Sequence, residues 1–174
     1  MSLFRRLRPT GVLFAIIIVG ACGFQPLYGS GQRSNAEGGA TVEELASVHI
    51  TAIPSRVGQI LRNDLLDRLN PFGEPKSPQY SLSVELEEAK EGLAIQIDDT
   101  ITRFNLTLTA NYFLTDARTG TTLIAGSLRA TASYNVLQSD FANVIAERDA
   151  QQRAARNVAD ELKTRLAVFF GGSI

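Results

Sequence analysis

The stretch from Tyr80 to Asn135 alternates apolar and polar residues, and this pattern constrains the fold more than any other feature of the chain. Its first apolar members are Tyr80, Leu82, Val84 and Leu86, which stand between serines and glutamates. Successive side chains of a strand point to opposite faces, so the pattern predicts strands with one buried face and one solvated face. A solvated face is typical of antiparallel sheets.

Three local signals divide this stretch into strands. Glu91-Gly92 predicts a turn, Asp98-Asp99 interrupts the alternation, and the segment DARTG from Asp116 to Gly120 predicts a hairpin turn. A carboxylate pair at Asp98-Asp99 for acid–base chemistry or metal binding is the alternative, but adjacent strand residues point to opposite faces. We therefore interpret the pair as a turn.

The last two strands are predicted to be long. The alternation resumes at Thr102 and continues to Leu114, and a return strand runs from about Thr121 to Asn135. The inward residues of the return strand are predicted to be Ile124, Leu128, Ala130, Ala132 and Tyr134. Each strand would have about 14 residues and extend roughly 45 Å, unless Asp98-Asp99 or Gly126 marks a bulge that shortens or bends it.

Two segments have helical periodicity. The first, Arg56 to Leu69, follows the predicted cap Ser55. The second follows Ser139-Asp140 and ends at Gly171-Gly172, with a length on the order of 40 Å. The predicted buried stripe of the second helix contains Phe141, Val144, Ile145, Ala155, Val158, Leu162, Leu166 and Phe169.

The order of elements indicates the fold class. A first strand over Leu45 to Ile53, ended by Pro54, precedes the first helix. A strand–helix–strand unit favours a right-handed parallel crossover, and the later strands form an antiparallel meander. We predict an α+β fold, a two-layer sandwich of order β-α-β-β-β-α with two helices on one face of a four-stranded mixed sheet.

The N-terminus has the features of a lipoprotein signal peptide. Three arginines, Arg5, Arg6 and Arg8, precede an apolar run from Gly11 to Ala21 that is too short to span a bilayer as a helix. The run ends in small residues directly before Cys22, the only cysteine of the chain. This order resembles the lipobox of bacterial lipoproteins, so Cys22 is the predicted lipidation residue. A signal anchor with a chance cysteine is the alternative.

The predicted organisation follows from this cleavage site. Residues 1–21 are the signal peptide, residues 22–40 the lipidated N-terminus and a flexible tether, and residues 41–174 the folded domain. The tether prediction rests on Ser30 to Gly39, which is rich in Gly, Ser and Asn. The residue after Cys22 is Gly23 and not Asp, which is compatible with sorting to the outer membrane.

The composition favours a non-catalytic protein. The formal net charge of −1 implies no nucleic-acid partner, and a single cysteine with one histidine provides neither a disulfide nor a zinc site. We interpret His49 as structural or solvated, and Glu85, Glu87 and Glu88 as a solvated strand face. No metal or cofactor is expected beyond the lipid on Cys22.

Three basic residues are candidates for binding. Arg103, Arg118 and Arg129 lie on or near the predicted long hairpin and could contact phosphate groups of a lipid or glycolipid. Solubility of the surface is the alternative role for each of them.

The segment CGFQPLYG from Cys22 to Gly29 and the sequence AERDA at Ala146 to Ala150, together with the order of elements, resemble one family. The chain is similar to LptE, the lipopolysaccharide-assembly lipoproteins of the outer membrane, in their alphaproteobacterial form. The resemblance covers nearly all of the chain that follows the signal peptide.

This resemblance implies a function without catalysis. LptE proteins sit inside the large LptD β-barrel, partly plug it and help it assemble, and the pair inserts lipopolysaccharide into the outer leaflet. Direct binding of lipopolysaccharide is a further implied property. The implied location is the periplasmic face of the outer membrane, with anchoring through palmitate-type acyl chains on Cys22. A polar outer sheet face with Thr107, Thr109 and Asn111 would suit a wet barrel lumen.

Two other classes of protein are alternatives. A lipoprotein accessory of a phospholipid transport system would bind an inner-membrane transporter or a periplasmic carrier in place of a barrel. An anchored hydrolase would bring Ser, His and Asp together in a pocket, and the residue to examine for that class is His49.

Overall fold

The structure is a computed structural model of the chain and describes residues 36–94 and 101–172. These residues belong to one compact unit, Asn35–Ile174. In chain order the elements are α1 (Ala36–Ala46), β1 (Val48–Ile50), α2 (Arg56–Leu69), β2 (Tyr80–Ala94), β3 (Ile101–Asp116), β4 (Thr122–Asn135) and α3 (Asp140–Gly171).

The sheet has the predicted mixed topology. Its strand order is β1-β2-β3-β4, with β1 parallel to β2 and the other neighbours antiparallel. The strands β2, β3 and β4 contain 15, 16 and 14 residues, so the prediction of long strands is confirmed. Both α2 and α3 pack on the same face, and the α+β two-layer prediction is also confirmed.

The N-terminal end of the domain differs from the prediction. Leu45 belongs to α1 and not to a strand, and β1 contains only Val48 to Ile50. The helix begins at Ala36, inside the stretch predicted to be a flexible tether. Leu45 is buried, and one buried leucine is compatible with a helix as well as with a strand, so the alternation alone extended the strand too far.

The turn predicted at Glu91-Gly92 is wrong. Both residues lie within β2, where Glu91 pairs with Asn105 and Gly92 pairs with Phe104. β2 continues to Ala94, and β3, which is antiparallel to it, begins at Ile101. Gly126 marks no bulge either. The register shift between β3 and β4 lies further along, where Leu114 pairs with Ile124 but Thr115 pairs with Thr122.

Four of the eight buried residues of α3 are alanines. The buried residues of α3 are Ala150, Ala154, Ala155, Val158, Ala159, Leu162, Leu166 and Phe170. Phe141, Val144 and Ile145, predicted to continue this stripe, are 76%, 47% and 46% exposed. The helix is about 48 Å long, and its first turns extend beyond the part that packs.

The two helices cover different lengths of the sheet. At the C-terminal end of α2, Asn70 Nδ2 donates to the carbonyls of Ala46 and Val48, beside the start of β2. At its other end, Val57 lines the same small pocket as Leu86, which lies half-way along β2. In contrast, α3 reaches from Tyr134 at one end of the sheet to Tyr80 at the other. One half of the sheet is therefore covered by two helices and the other half by α3 alone.

Candidate functional site

The face of the sheet opposite α2 and α3 is a polar surface open to solvent. Within the described part of the chain, no helix packs on it. Three of its cross-strand rows are Glu87–Thr109–Arg129, Ala89–Thr107–Thr131 and Glu91–Asn105–Ser133, and a fourth row contains the exposed Phe113. Thr107 Oγ1 and Thr131 Oγ1 are 3.1 Å apart, and Ser133 Oγ donates to Asn105 Oδ1 at 2.7 Å. We call this surface the outer face.

The three predicted arginines are exposed but are not brought together. Arg103 and Arg129 lie on the outer face, and Arg129 pairs with Thr109, six positions beyond Arg103 along β3, which separates them by roughly 20 Å. Arg118 lies in the hairpin turn, where its backbone N–H donates to Asp116 Oδ1. The structure therefore provides three separate cations and no shared phosphate site.

The glutamates of β2 are divided between the two faces. Glu85 and Glu87 lie on the outer face and are exposed, as predicted. Glu88 is also exposed, but it lies on the side of the sheet that carries the helices, where its carboxylate accepts from Gln151 Nε2 at 2.9 Å. Gln151 also accepts a hydrogen bond from Arg56, which ties the N-terminus of α2 to α3.

A polar cluster lies between the sheet and α3, in the half of the sheet that α2 does not cover. Lys90 Nζ is 2.7 Å from Glu147 Oε2 and 4.7 Å from the centroid of the Phe104 ring. Tyr134 donates its hydroxyl to the same carboxylate oxygen at 3.2 Å. The hydrogen bond from Lys90 is the main reason that the pKa of Glu147 is lowered. We call these four residues the Lys90 cluster.

A groove runs along the edge of the sheet between β4 and α3. It has a volume of about 850 Å³. Its apolar lining comprises Tyr112 of β3, Ile124, Ala125 and Gly126 of β4, and Val168 and Phe169 of α3. Polar residues of α3 complete it, namely Asn157, Asp160, Glu161, Thr164 and Arg165. We call it the edge groove.

The sequence matches one family model, described as LptE, lipopolysaccharide-assembly, over residues 45–166. These residues include every strand and most of α3. The chain belongs to the LptE family. No curated protein matches the sequence.

Solved structures share the LptE fold at low sequence identity. A predicted lipoprotein from Caulobacter crescentus is 23% identical, with a TM-score of 0.65 over 78% of this chain and 98% of that one. A minor lipoprotein from Acinetobacter baumannii is 16% identical, with a TM-score of 0.53 over 71% and 92%. Lipoprotein B from Nitrosomonas europaea is 13% identical, with a TM-score of 0.54 over 80% and 92%. These likenesses concern the fold.

In the described part of this LptE-family chain, His49 lies near Glu74 and Ser81. Its Nδ1 lies 3.8 Å from Glu74 Oε2, beyond hydrogen-bond distance, and Glu74 is also bound by Arg62. Ser81 is the neighbour of His49 on β2, and the structure records no hydrogen bond between their side chains. Among the described residues, no group of three His, Cys, Asp or Glu side chains could hold a metal ion.

Several predicted features of this LptE-family chain lie outside the described residues. They are the signal peptide, the lipidation residue Cys22, the segment CGFQPLYG and Asp98-Asp99. Within the ranges 36–94 and 101–172, no helix combines the length and the apolar character that crossing a membrane requires.

The edge groove was not predicted from the sequence. Its two walls, Ala125 and Val168, are separated by more than forty residues, and no local pattern places them together. The order of elements did contain one signal for an open edge. A meander of three strands that is followed by a long helix leaves its last strand at the edge of the sheet.

Proposed function

We propose that the chain is a non-catalytic lipoprotein that occupies an LptD-like β-barrel and supports its assembly within the lipopolysaccharide translocon. In this proposal, acyl chains on Cys22 hold the protein at the periplasmic face of the outer membrane. Membership of the LptE family supports the link to lipopolysaccharide assembly. The polar outer face is the observation that carries the plug role.

The outer face suits contact with a wet lumen. The interior of a large transmembrane barrel is polar, because the side chains of its strands alternate between an apolar lipid-facing side and a polar lumen. A domain inside it must therefore bury its own apolar residues and present polar ones. Here α2 and α3 bury the apolar side of the sheet, and the outer face presents hydroxyl, amide and charged groups across three strands.

The dimensions of the domain limit the partner. The longest strand extends about 50 Å, which exceeds the roughly 30 Å hydrocarbon core of a bilayer. A sheet with one layer of helices is on the order of 20 Å thick. Barrels of about 22 strands are those that enclose a plugged lumen, so the partner in this proposal belongs to the largest class of single-chain barrels.

Arg103, Arg118 and Arg129 are our candidates for contact with lipopolysaccharide. Arginine pairs with phosphate through two parallel hydrogen bonds, and all three side chains are exposed. Because they are far apart, each would meet a different phosphate or a different position of a moving lipid.

Affinity purification from detergent-solubilised outer membranes tests the proposal. A C-terminally tagged chain is expected to retain one large β-barrel protein at equal stoichiometry in mild detergent, identified by its mass. An untagged chain is the control for non-specific recovery. Recovery of transporter subunits without a barrel would contradict the proposal and favour the phospholipid-transport alternative.

A further inference from the structure

The strand β4 has an open edge towards solvent. Odd-numbered residues of β3 bond towards β2, and this parity continues at the end of the strand, where the Ala117 N–H donates to Gln79 O at 2.9 Å. The even-numbered residues therefore bond to β4, and from Phe104 to Leu114 their partners on β4 are also even-numbered. Because an antiparallel ladder alternates, the N–H and C=O groups of Ala125, Ser127, Arg129 and Thr131 point away from β3.

One end of this edge is covered and the rest is not. The Ser133 carbonyl, which points the same way, accepts from Arg153 Nη2 at 3.0 Å. From Ala125 to Thr131, the described residues provide no such cover. An unpaired row of backbone groups is a template for another strand, and proteins normally blunt it.

The other exposed edge of the sheet is protected by charge. Beyond Leu82, where pairing with β1 ends, β2 carries Glu85, Glu87, Glu88, Lys90 and Glu91. Charged side chains on an edge oppose strand addition. The stretch of β4 beside the edge groove instead carries Ala, Gly, Ser, Thr and the buried Leu128, with the single charge of Arg129.

The edge groove would receive the side chains of an added strand. Alternate residues of such a strand point towards α3, where Ile124, Val168 and Phe169 form an apolar lining. The acids of the groove are neutralised, since Asp160 pairs with Arg68 at 2.6 Å and Glu161 with Arg165 at 3.1 Å. The groove therefore favours uncharged apolar side chains.

The opposite side of the same edge favours an acidic residue. Arg129 lies on the outer face with Thr109 as its cross-strand neighbour, and its side chain has no ion pair within the described ranges. A residue directly opposite Arg129 on an added strand would be close enough for a charge pair.

We propose that β4 from Ala125 to Thr131 binds, by strand addition, an extended segment of the LptD-like partner that is apolar towards the edge groove and acidic opposite Arg129. This inference rests on the proposed function. Strands of a closed barrel wall have both edges paired, so the segment belongs to a turn, a loop or a terminus of the partner. Main-chain hydrogen bonds supply affinity and the groove supplies specificity.

Matched lysine substitutions on α3 test the proposal in the full chain. Val168→Lys places a charge in the edge groove, and Val144→Lys places the same charge on the same helix outside it. The two valines are 69% and 47% exposed, so both variants are expected to fold. We expect Val168→Lys to reduce recovery of the barrel from outer membranes at least tenfold and Val144→Lys to leave it unchanged.

A backbone variant tests the strand pairing itself. Ser127→Pro removes an N–H that points outward and leaves the ladder with β3 intact, which an edge strand tolerates. Asn135→Pro, at the exposed end of β4, is the matched control. We expect recovery of the barrel to fall at least tenfold for Ser127→Pro alone, with circular dichroism unchanged in both variants.

The outcomes separate this inference from the proposed function. Normal recovery of the barrel by Val168→Lys and by folded Ser127→Pro overturns strand addition and leaves the plug proposal standing. No barrel with the unaltered chain overturns both. A photo-cross-linker at position 168 identifies the occupant, and a cross-link to a second copy or within the same chain also overturns the inference.

Discussion

At the residue scale, the Lys90 cluster links pH to stability. The folded-state pKa of Glu147 lies below its ordinary value, mainly because Lys90 donates a hydrogen bond to the carboxylate. A lowered pKa means that the ionised group stabilises the folded state above the unfolded-state pKa. That contribution is lost as the pH falls through the folded-state pKa.

The variant Glu147→Gln measures this contribution. At pH 7 we expect a lower free energy of unfolding than in the unaltered chain, by less than about 1 kcal/mol because both side chains are partly exposed. At pH 3 the difference should be smaller, because a growing fraction of the carboxyl group is protonated as the pH falls towards its lowered folded-state pKa. Urea unfolding at both pH values provides the measurement. Glu85→Gln on the outer face is the control, and an equal loss at both pH values would contradict the explanation.

Residue type and residue period gave different predictions for Glu88. Its even position in β2 places it on the inner face with Leu82, Val84 and Leu86, whereas its charge suggested the solvated face. The period of the strand decides the face, because the N-terminal end of α2 lies near Leu86 and leaves room beyond it for a polar side chain. For the same reason Lys90 can lie on the inner face. The sequence alone does not reveal how far a helix covers a sheet.

At the scale of the element, four of the eight buried residues of α3 are alanines, which allow a close approach of the helix at those positions. Periodicity predicted this helix and half of its buried residues, namely Ala155, Val158, Leu162 and Leu166. It also predicted Phe141, Val144 and Ile145 as buried, although they are exposed. Periodicity identifies the face of a helix that is apolar, but it does not show where the surface beneath that face ends.

Enlarging one alanine tests the close approach of α3. Ala155 is fully buried, so Ala155→Leu must displace the helix or its neighbours. We expect a loss of about 1–3 kcal/mol in the free energy of unfolding. Arg156→Leu, which adds a leucine at an exposed neighbouring position, should change the free energy by less than about 0.5 kcal/mol. Similar losses in the two variants, measured by urea unfolding, would contradict the packing argument.

Local signals located most elements but misplaced two boundaries. The pair Glu91-Gly92 has the composition of a turn, yet β2 continues through it because Asn105 and Phe104 pair with it on β3. At the N-terminus, α1 docks against the rest of the domain. There the hydrogen bond from Tyr80 to Glu44 raises the pKa of Tyr80 to about 12. Both differences arise from contacts between segments that are distant in sequence.

At the scale of the whole molecule, the lipid on Cys22 and the folded domain should be separable. Cys22→Ala is expected to remove labelling by palmitate and to release the protein from outer membranes, because the anchoring free energy comes from the acyl chains. The thermal unfolding midpoint of the domain should not change. In the control Cys22→Ala/Ser30→Cys, the thiol returns outside the lipobox, and restored labelling there would contradict the assignment.

Much of the molecule could be predicted from the sequence, and the candidate site only in part. The alternation of polar and apolar residues predicted the outer face, since Thr107, Thr109 and Asn111 alternate along β3 with residues that are buried. The edge groove did not, because it forms where β4 passes the C-terminal part of α3. The separation of Arg103, Arg118 and Arg129 likewise depends on strand register, which the sequence leaves open.

Because α2 and α3 cover the sheet unequally, we expect the local stability of the domain to differ between the two ends of its strands. Segments with less buried apolar contact open at lower free energy. Amide hydrogens of β3 at Tyr112 and Leu114, beneath both helices, should therefore exchange with solvent more slowly than those at Phe104 and Leu106, beneath α3 alone. Equal rates measured by hydrogen exchange would contradict this. One end of the strands is thus firmly held, while the other can open locally without unfolding the whole domain.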